Sequence, residues 1–323
     1  MRGSTIVGVG SYLPDRVVSS DEVAATLGVP PEWVLSRTGI RTRYLAAPGE
    51  TVVDLASHAA AAAIRHRASV ESSSIHNGEP GTSIDAVIVA TSTGDRMPSA
   101  ASQVAARLGL HCAAFDVNAA CAGFCHALAV GDGLIRTGGA DTVLIVGVDV
   151  SSTSIDWTDK NTAPIFGDGA GAVVLRHSDT EGIGPTMWGS QGEFGDLVTL
   201  TGEYIQQQGQ SVFRWAIGLG DHVRAICHKG GVEPGEIAAF VPHQANLRII
   251  DALVADLRPG DAVISRDVVD VGNTMAASIP IALARMAERR ELPIGGPIVL
   301  FGFGSGLSYA GQTIRLSHDL NRP

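Results

Sequence analysis

Cysteine is scarce in this chain: Cys112, Cys121, Cys125 and Cys227 are the only four among 323 residues, too few to outline a disulfide framework. Charge is also thin, at 17%, set against 45% hydrophobic residues, which excludes a disordered chain and fits a well-buried globular one. There is no basic excess. A net charge of −10 argues against nucleic acid as the main partner. No apolar run approaches the length of a membrane-spanning helix. The apolar stretch Thr5–Gly10 is too short for a signal-peptide core and reads as a strand, so the expected compartment is the cytoplasm. What the chain has in quantity is length, enough for two domains or one domain doubled, and 39 glycines, which mark tight turns and close backbone approaches.

Short apolar strands alternate with longer helices, the pattern of a layered α/β fold. Strands are expected at Ile6–Gly10, Ala86–Thr91, Thr142–Val148, Gly171–Leu175, Ala238–Val241, Pro297–Phe301 and Ser308–Arg315. Helices are expected at Ser20–Leu27, Val52–Arg67, Ser99–Leu108, Ala120–Arg136, Val212–Lys229, Leu247–Leu257 and Ile279–Arg290. Ala68–Ser83 is polar and rich in Ser, Gly and Pro, so it is expected to be an exposed loop. One strand–helix plan occurs twice, first from Asp85 to Leu175 and again from Ala238 to Ile314, which suggests duplication. The expected division is 1–177 and 178–323.

Cys121 lies at the start of a helix that is apolar nearly all round. Its neighbours Ala119, Ala120, Ala122 and Gly123 are small, so backbone or a ligand can approach the sulfur. Unpaired N–H groups at a helix start favour a thiolate and can hold an oxyanion. An isolated buried cysteine is ordinarily just core, and Cys112 and Cys125 fit that bland reading better. A Cys121–Cys125 metal pair finds nothing nearby to complete a tetrahedral set. His243 follows a strand and precedes an amphipathic helix, the place where open α/β sheets put functional groups. A neutral imidazole there could donate to a carbonyl or stabilise a thiolate. Asn273 sits in a Gly-Asn turn, where capping is the ordinary role and a second amide donor beside His243 the functional one. The glycine runs at Phe166 and Phe301 lack dinucleotide-binding spacing. The first suits tight packing, and the second could bring N–H groups to the sulfur.

Taken in order, these motifs resemble β-ketoacyl-acyl-carrier-protein synthase III of the thiolase-like superfamily nearly end to end. They are Gly10-Ser-Tyr-Leu-Pro, Glu32-Trp-Val, Arg37-Thr-Gly-Ile-Arg, Asn118-Ala-Ala-Cys-Ala-Gly-Phe, Phe166-Gly-Asp-Gly-Ala-Gly-Ala, Pro242-His-Gln-Ala-Asn-Leu-Arg-Ile and Gly272-Asn-Thr. The resemblance implies a duplicated five-layer α-β-α-β-α fold, a homodimer, no cofactor, and a triad of Cys121, His243 and Asn273. It implies acyl transfer from acyl-CoA to Cys121, with N–H groups of Cys121 and Ser305 as oxyanion hole, then decarboxylative condensation with a malonyl-acyl carrier protein. Substrate contacts fall on Trp33, Arg37, Gly209 and Asn246, and an acyl-pocket position on Met97. Arg214 and Arg248 are the candidates for the basic patch that an acidic carrier would need on an acidic chain.

The sequence also departs from the family. Ala255 and Asp256 replace a pair of lysines, Thr153 replaces a basic residue facing Trp33, and Met275 follows Gly-Asn-Thr in place of Ser. The segment Gly195–Gln208 is shorter and Ala68–Ser83 longer. With Met97 where an aromatic is usual, a primer other or broader than acetyl is expected. Two alternatives stay open: an acyltransferase of secondary metabolism that passes the group to oxygen or nitrogen, and a non-catalytic partner subunit.

Overall fold

A strand that is apolar at every position must be covered on both faces. Ala86–Ala90 and Thr142–Asp149 are buried throughout, and that property dictates the layering. The computed structural model describes residues 2–72, 83–94 and 97–321. Its first sheet contains β1 (Gly3–Tyr12), β2 (Ala86–Ala90), β3 (Ala113–Val117), β4 (Thr142–Asp149) and β5 (Gly169–Ser178), ordered β3-β2-β4-β5-β1. The second contains β6 (Met187–Ser190), β7 (Ala239–Pro242), β8 (Val263–Ile264), β9 (Ile298–Gly304) and β10 (Ser308–Ile314), ordered β8-β7-β9-β10-β6. Read in those orders, each sheet has two parallel pairings followed by two antiparallel ones. The two halves of the chain thus repeat one topology.

Helices α1 (Val52–Ser72) and α2 (Ala100–Arg107) cover the outer face of the first sheet. Helix α3 (Gly123–Arg136) is sandwiched between the sheets, α4 (Gly220–Lys229) and α5 (Leu247–Leu257) cover the second sheet outside, and α6 (Ser278–Glu288) joins α3 in the middle. The period of two is visible in the packing. Val143 and Ile145 of β4 face the central helices, while Leu144 and Val146 face α1 and α2. In β9, Ile298 and Leu300 point to the central layer and Val299 and Phe301 to α4 and α5. Five layers result, the thiolase-like arrangement.

The central layer is thin because glycines let it approach. A Cβ on Gly171 would stand 2.4 Å from the Ile281 nitrogen, so α6 rests directly on β5. The glycine run after Phe166 therefore serves packing.

Some expectations change. The helix from Val52 runs to Ser72, so Ala68–Ser72 is helical rather than loop; residues 73–82 of the expected loop lie outside the described residues. The single helix expected over Val212–Lys229 is two, Gly209–Ile217 and Gly220–Lys229, because the chain turns at Gly218, whose N–H bonds back to the Trp215 carbonyl.

Candidate active site

The nucleophile candidate comes from the middle layer. Cys121 occupies a 3-10 turn, Ala120–Ala122, that leads into α3. Ala120, just before it, has φ +47°, a left-handed conformation that costs a non-glycine residue about 1 kcal/mol or more. Gly304, at the end of β9, lies against the sulfur: a Cβ there would be 2.8 Å from Cys121 Cβ, 2.9 Å from its nitrogen and 3.2 Å from Sγ. The backbone entering Ser305 is thus in contact with the cysteine. Burial pushes the Cys121 thiol up to about 12, and the Asp149 carboxylate adds in the same direction. The helix start opposes this by at most about 2 kcal/mol. The expected thiolate stabilisation is therefore present but outweighed at rest.

His243 follows β7, its own N–H donating 2.7 Å to the Phe301 carbonyl of β9. Its ring is only 2% exposed and lies edge-on to Phe303, with centroids 5.2 Å apart. Burial holds it down to about 3, so the imidazole is neutral at any working pH. Nδ1 meets Ser278 Oγ at 2.7 Å, and the same Oγ accepts from the Gln244 N–H at 3.3 Å. The hydroxyl has a second lone pair, so this contact fits either tautomer; with Oγ donating to Nδ1, the ring proton sits on Nε2. Burial thus disfavours both partners of a resting thiolate–imidazolium pair.

Asn273 is held by the other half of the chain. Its N–H donates to the Ile165 carbonyl and its carbonyl accepts from Gly167, each at 3.0 Å, an isolated bridge to Phe166. Oδ1 accepts from the Met275 N–H at 2.9 Å, which leaves Nδ2 as the free end of the amide. Met275 is also left-handed, at φ +50°.

Cys121, His243 and Asn273 line one cavity of about 740 Å³, together with Gly304 and Ser305. The profile of the 3-oxoacyl-[acyl-carrier-protein] synthase III family matches residues 115–192, and that of its C-terminal part residues 227–316. β-Ketoacyl-[acyl-carrier-protein] synthase III 4 of Streptomyces coelicolor is 48% identical over 97% of this chain and 99% of its own. The chain belongs to the 3-oxoacyl-[acyl-carrier-protein] synthase III family. Among solved structures, the priming β-ketosynthase of the R1128 polyketide pathway is similar at TM-score 0.92 and 38% identity, covering 98% of this chain and 97% of that one. The Pseudomonas aeruginosa PAO1 synthase III is similar at TM-score 0.89 and 40% identity, over 97% and 98%. This synthase is accordingly an acyltransferase, an acyl-primed ketosynthase that initiates fatty acid or polyketide synthesis.

The synthase's cavity has a charged mouth and an apolar floor. Trp33, Arg37, Gly209, Arg214, Asn246 and Arg248 all line it. Arg37 stacks on Trp33, 4.1 Å from the ring centroid, and Asn246 Nδ2 donates 3.1 Å to the Arg37 carbonyl while its Oδ1 caps α5. Arg248 lies 5.2 Å over Phe213. Among the described residues these three arginines form no ion pair, so the mouth is basic although the chain is acidic. Lys160 joins them, with no signal in the sequence that marked it.

Met97 is 88% exposed and lies outside this cavity. Thr153 is likewise exposed outside the cavity, its hydroxyl bonded to the Val150 carbonyl. Met275 does line the cavity, in an apolar cluster with Cys121, Phe166 and Ile205. Asp256 pairs with Arg224 at 3.1 Å. Ser278 was missed because its role arises only when α6 docks behind β7. Among the described residues no group of three or more His, Cys, Asp or Glu could hold a metal, and no helix is long and apolar enough to cross a membrane.

Proposed function

We propose that Cys121 carries the primer and that His243 and Asn273 drive a decarboxylative condensation with a malonyl-acyl carrier protein. The convergence of these three side chains on one cavity, with Gly304 packed on the sulfur, supports this reading. Sγ attacks the acyl-CoA carbonyl, the oxyanion is met by the N–H groups of Cys121 and Ser305, and CoA leaves with the thiol proton. The malonyl thioester then enters. Its carboxyl carbon–carbon bond breaks, carbon dioxide departs, and the electron pair moves to an enolate oxygen hydrogen-bonded by His243 Nε2–H and Asn273 Nδ2. The enolate carbon attacks the acyl carbonyl, and Cys121 leaves and regains a proton. Neutral donors suit this step, since a charged imidazolium would lose its proton to the carbanion. No cofactor is required.

The mouth residues Trp33, Arg37, Gly209 and Asn246 hold the CoA arm, and Arg214 and Arg248 receive the acidic carrier. The floor of Val198, Ile205, Phe166 and Met275 takes an apolar primer larger than acetyl. The protein works as a cytoplasmic homodimer, which would cover exposed Met97 and the unpaired edge of β3. The deciding experiment is intact-mass measurement with a panel of acyl-CoAs. Wild type gains one acyl group, C121A gains none, and H243A and N273A gain it but release carbon dioxide about 100-fold more slowly. An adduct on C121A, or preference for acetyl-CoA, refutes the corresponding part.

A further inference from the structure

Asp149, the last residue of β4, is fully buried and forms no ion pair among the described residues. A lone carboxylate in such a place costs several kcal/mol unless hydrogen bonds replace its water. Its two oxygens divide the donors unequally. Oδ1 accepts from the N–H groups of Ser92 (2.8 Å) and Thr93 (3.2 Å) and from the hydroxyls of Thr91 (3.2 Å) and Thr93 (3.0 Å), all at the end of β2. Oδ2 accepts from one group, the Ala276 N–H at 3.0 Å. Ala276 closes the turn that carries Asn273. Two residues earlier on β4, Gly147 makes room for the same residue: a Cβ there would stand 2.3 Å from the Ala276 carbonyl oxygen.

The consecutive N–H groups of Met275 and Ala276 are thus fastened to Asn273's own Oδ1 and to Asp149. The amide of Asn273 can turn only if this fastening slips. We propose that the C-terminal end of β4 is a positioning device for Asn273, in which Asp149 grips Ala276 by its N–H while Gly147 admits its carbonyl. Asp149 is a positioning residue and touches no substrate. The proposal rests on the reading of Asn273 as an enolate donor. It follows that disturbing β4 harms the condensation step and spares acylation of Cys121, which needs no help from Asn273.

The test separates the two half-reactions. In D149N the Oδ1 side keeps its four donors, and the new NH₂ faces the Ala276 N–H, donor against donor. G147A pushes Ala276 from the opposite side. For both, carbon dioxide release from a malonyl-carrier substrate should fall about 10- to 100-fold, the scale of a misplacement near 1 Å. Acyl-CoA labelling of Cys121, measured by intact mass, should stay within about threefold of wild type or rise. Equal loss in both half-reactions, or condensation within about twofold of wild type, overturns the proposal. If D149N does not fold, G147A carries the same comparison. Failure of wild type itself to acylate Cys121 or to release carbon dioxide refutes the functional reading instead.

Discussion

Gly304→Ala is the sharpest perturbation of the sulfur's surroundings. Gly304 has φ near 180°, which any residue adopts, so the substitution introduces no backbone strain and acts only through space. The added methyl would stand 2.8 Å from Cys121 Cβ, an overlap of about 0.7 Å with ordinary carbon contact. The second neighbour is the Cys121 nitrogen at 2.9 Å, which is backbone and has no rotamer to escape into. Either β9 or the Ala120–Ala122 turn must move by a similar amount. Overpacking of this kind costs about 1–3 kcal/mol of stability. Because the moved atoms include the proposed nucleophile and its proposed oxyanion donor, acylation should slow about 100-fold. The assay is the rate of mass gain with acyl-CoA, beside thermal unfolding of the same sample. A variant that labels at the wild-type rate refutes the argument that Gly304 shapes the nucleophile's position. Gly133→Ala is the matched control: in α3, with nothing within 4 Å of the new Cβ, it should stabilise by about 0.5–1 kcal/mol and leave labelling unchanged.

Since burial holds His243 down to about 3, the condensation rate should show no limb near pH 6.5 from this residue. The unfolded chain binds a proton below pH 6.5 that the folded chain refuses until about 3, so His243 erodes stability as pH falls through that window. An NMR titration of its ring near 6.5 would contradict this. The Asp267 side chain is 3% exposed; burial alone would raise it, but Arg289, Ser265 and Arg285 outweigh that and hold its carboxyl below the usual range. D267A should therefore cost about 3–5 kcal/mol in urea unfolding by stranding its arginines, and a loss under 1 kcal/mol would show the cluster to be inert. W33A should raise KM for acyl-CoA several-fold with kcat nearly unchanged; an equal fall in kcat would place Trp33 nearer the chemistry.

Sequence pattern read well where local and tertiary preferences agree. Leu247–Leu257 is a helix at its expected bounds, because its apolar face and the Asn246 cap are both local. The strand Ala113–Val117 was not foreseen: it mixes polarities, and Asp116 is spent on the N–H groups of Ala100 and Ala101 in α2. The helix Pro31–Thr38 is short and weakly periodic, and its local marks are Pro31 at its start and Gly39 at its end. At the site, Cys121, His243 and Asn273 stood out through their motifs. Ser278 and Asp149 did not, since each matters only through an atom more than thirty residues away in the chain.

The bridge between Phe166 and Asn273 joins the two repeats beside the amide proposed to hold the enolate. Neither repeat alone would therefore own a working centre. Carrying both units on one chain makes that partnership permanent and independent of concentration. Separating the repeats, with both halves intact and present together, would make assembly of the site sensitive to dilution.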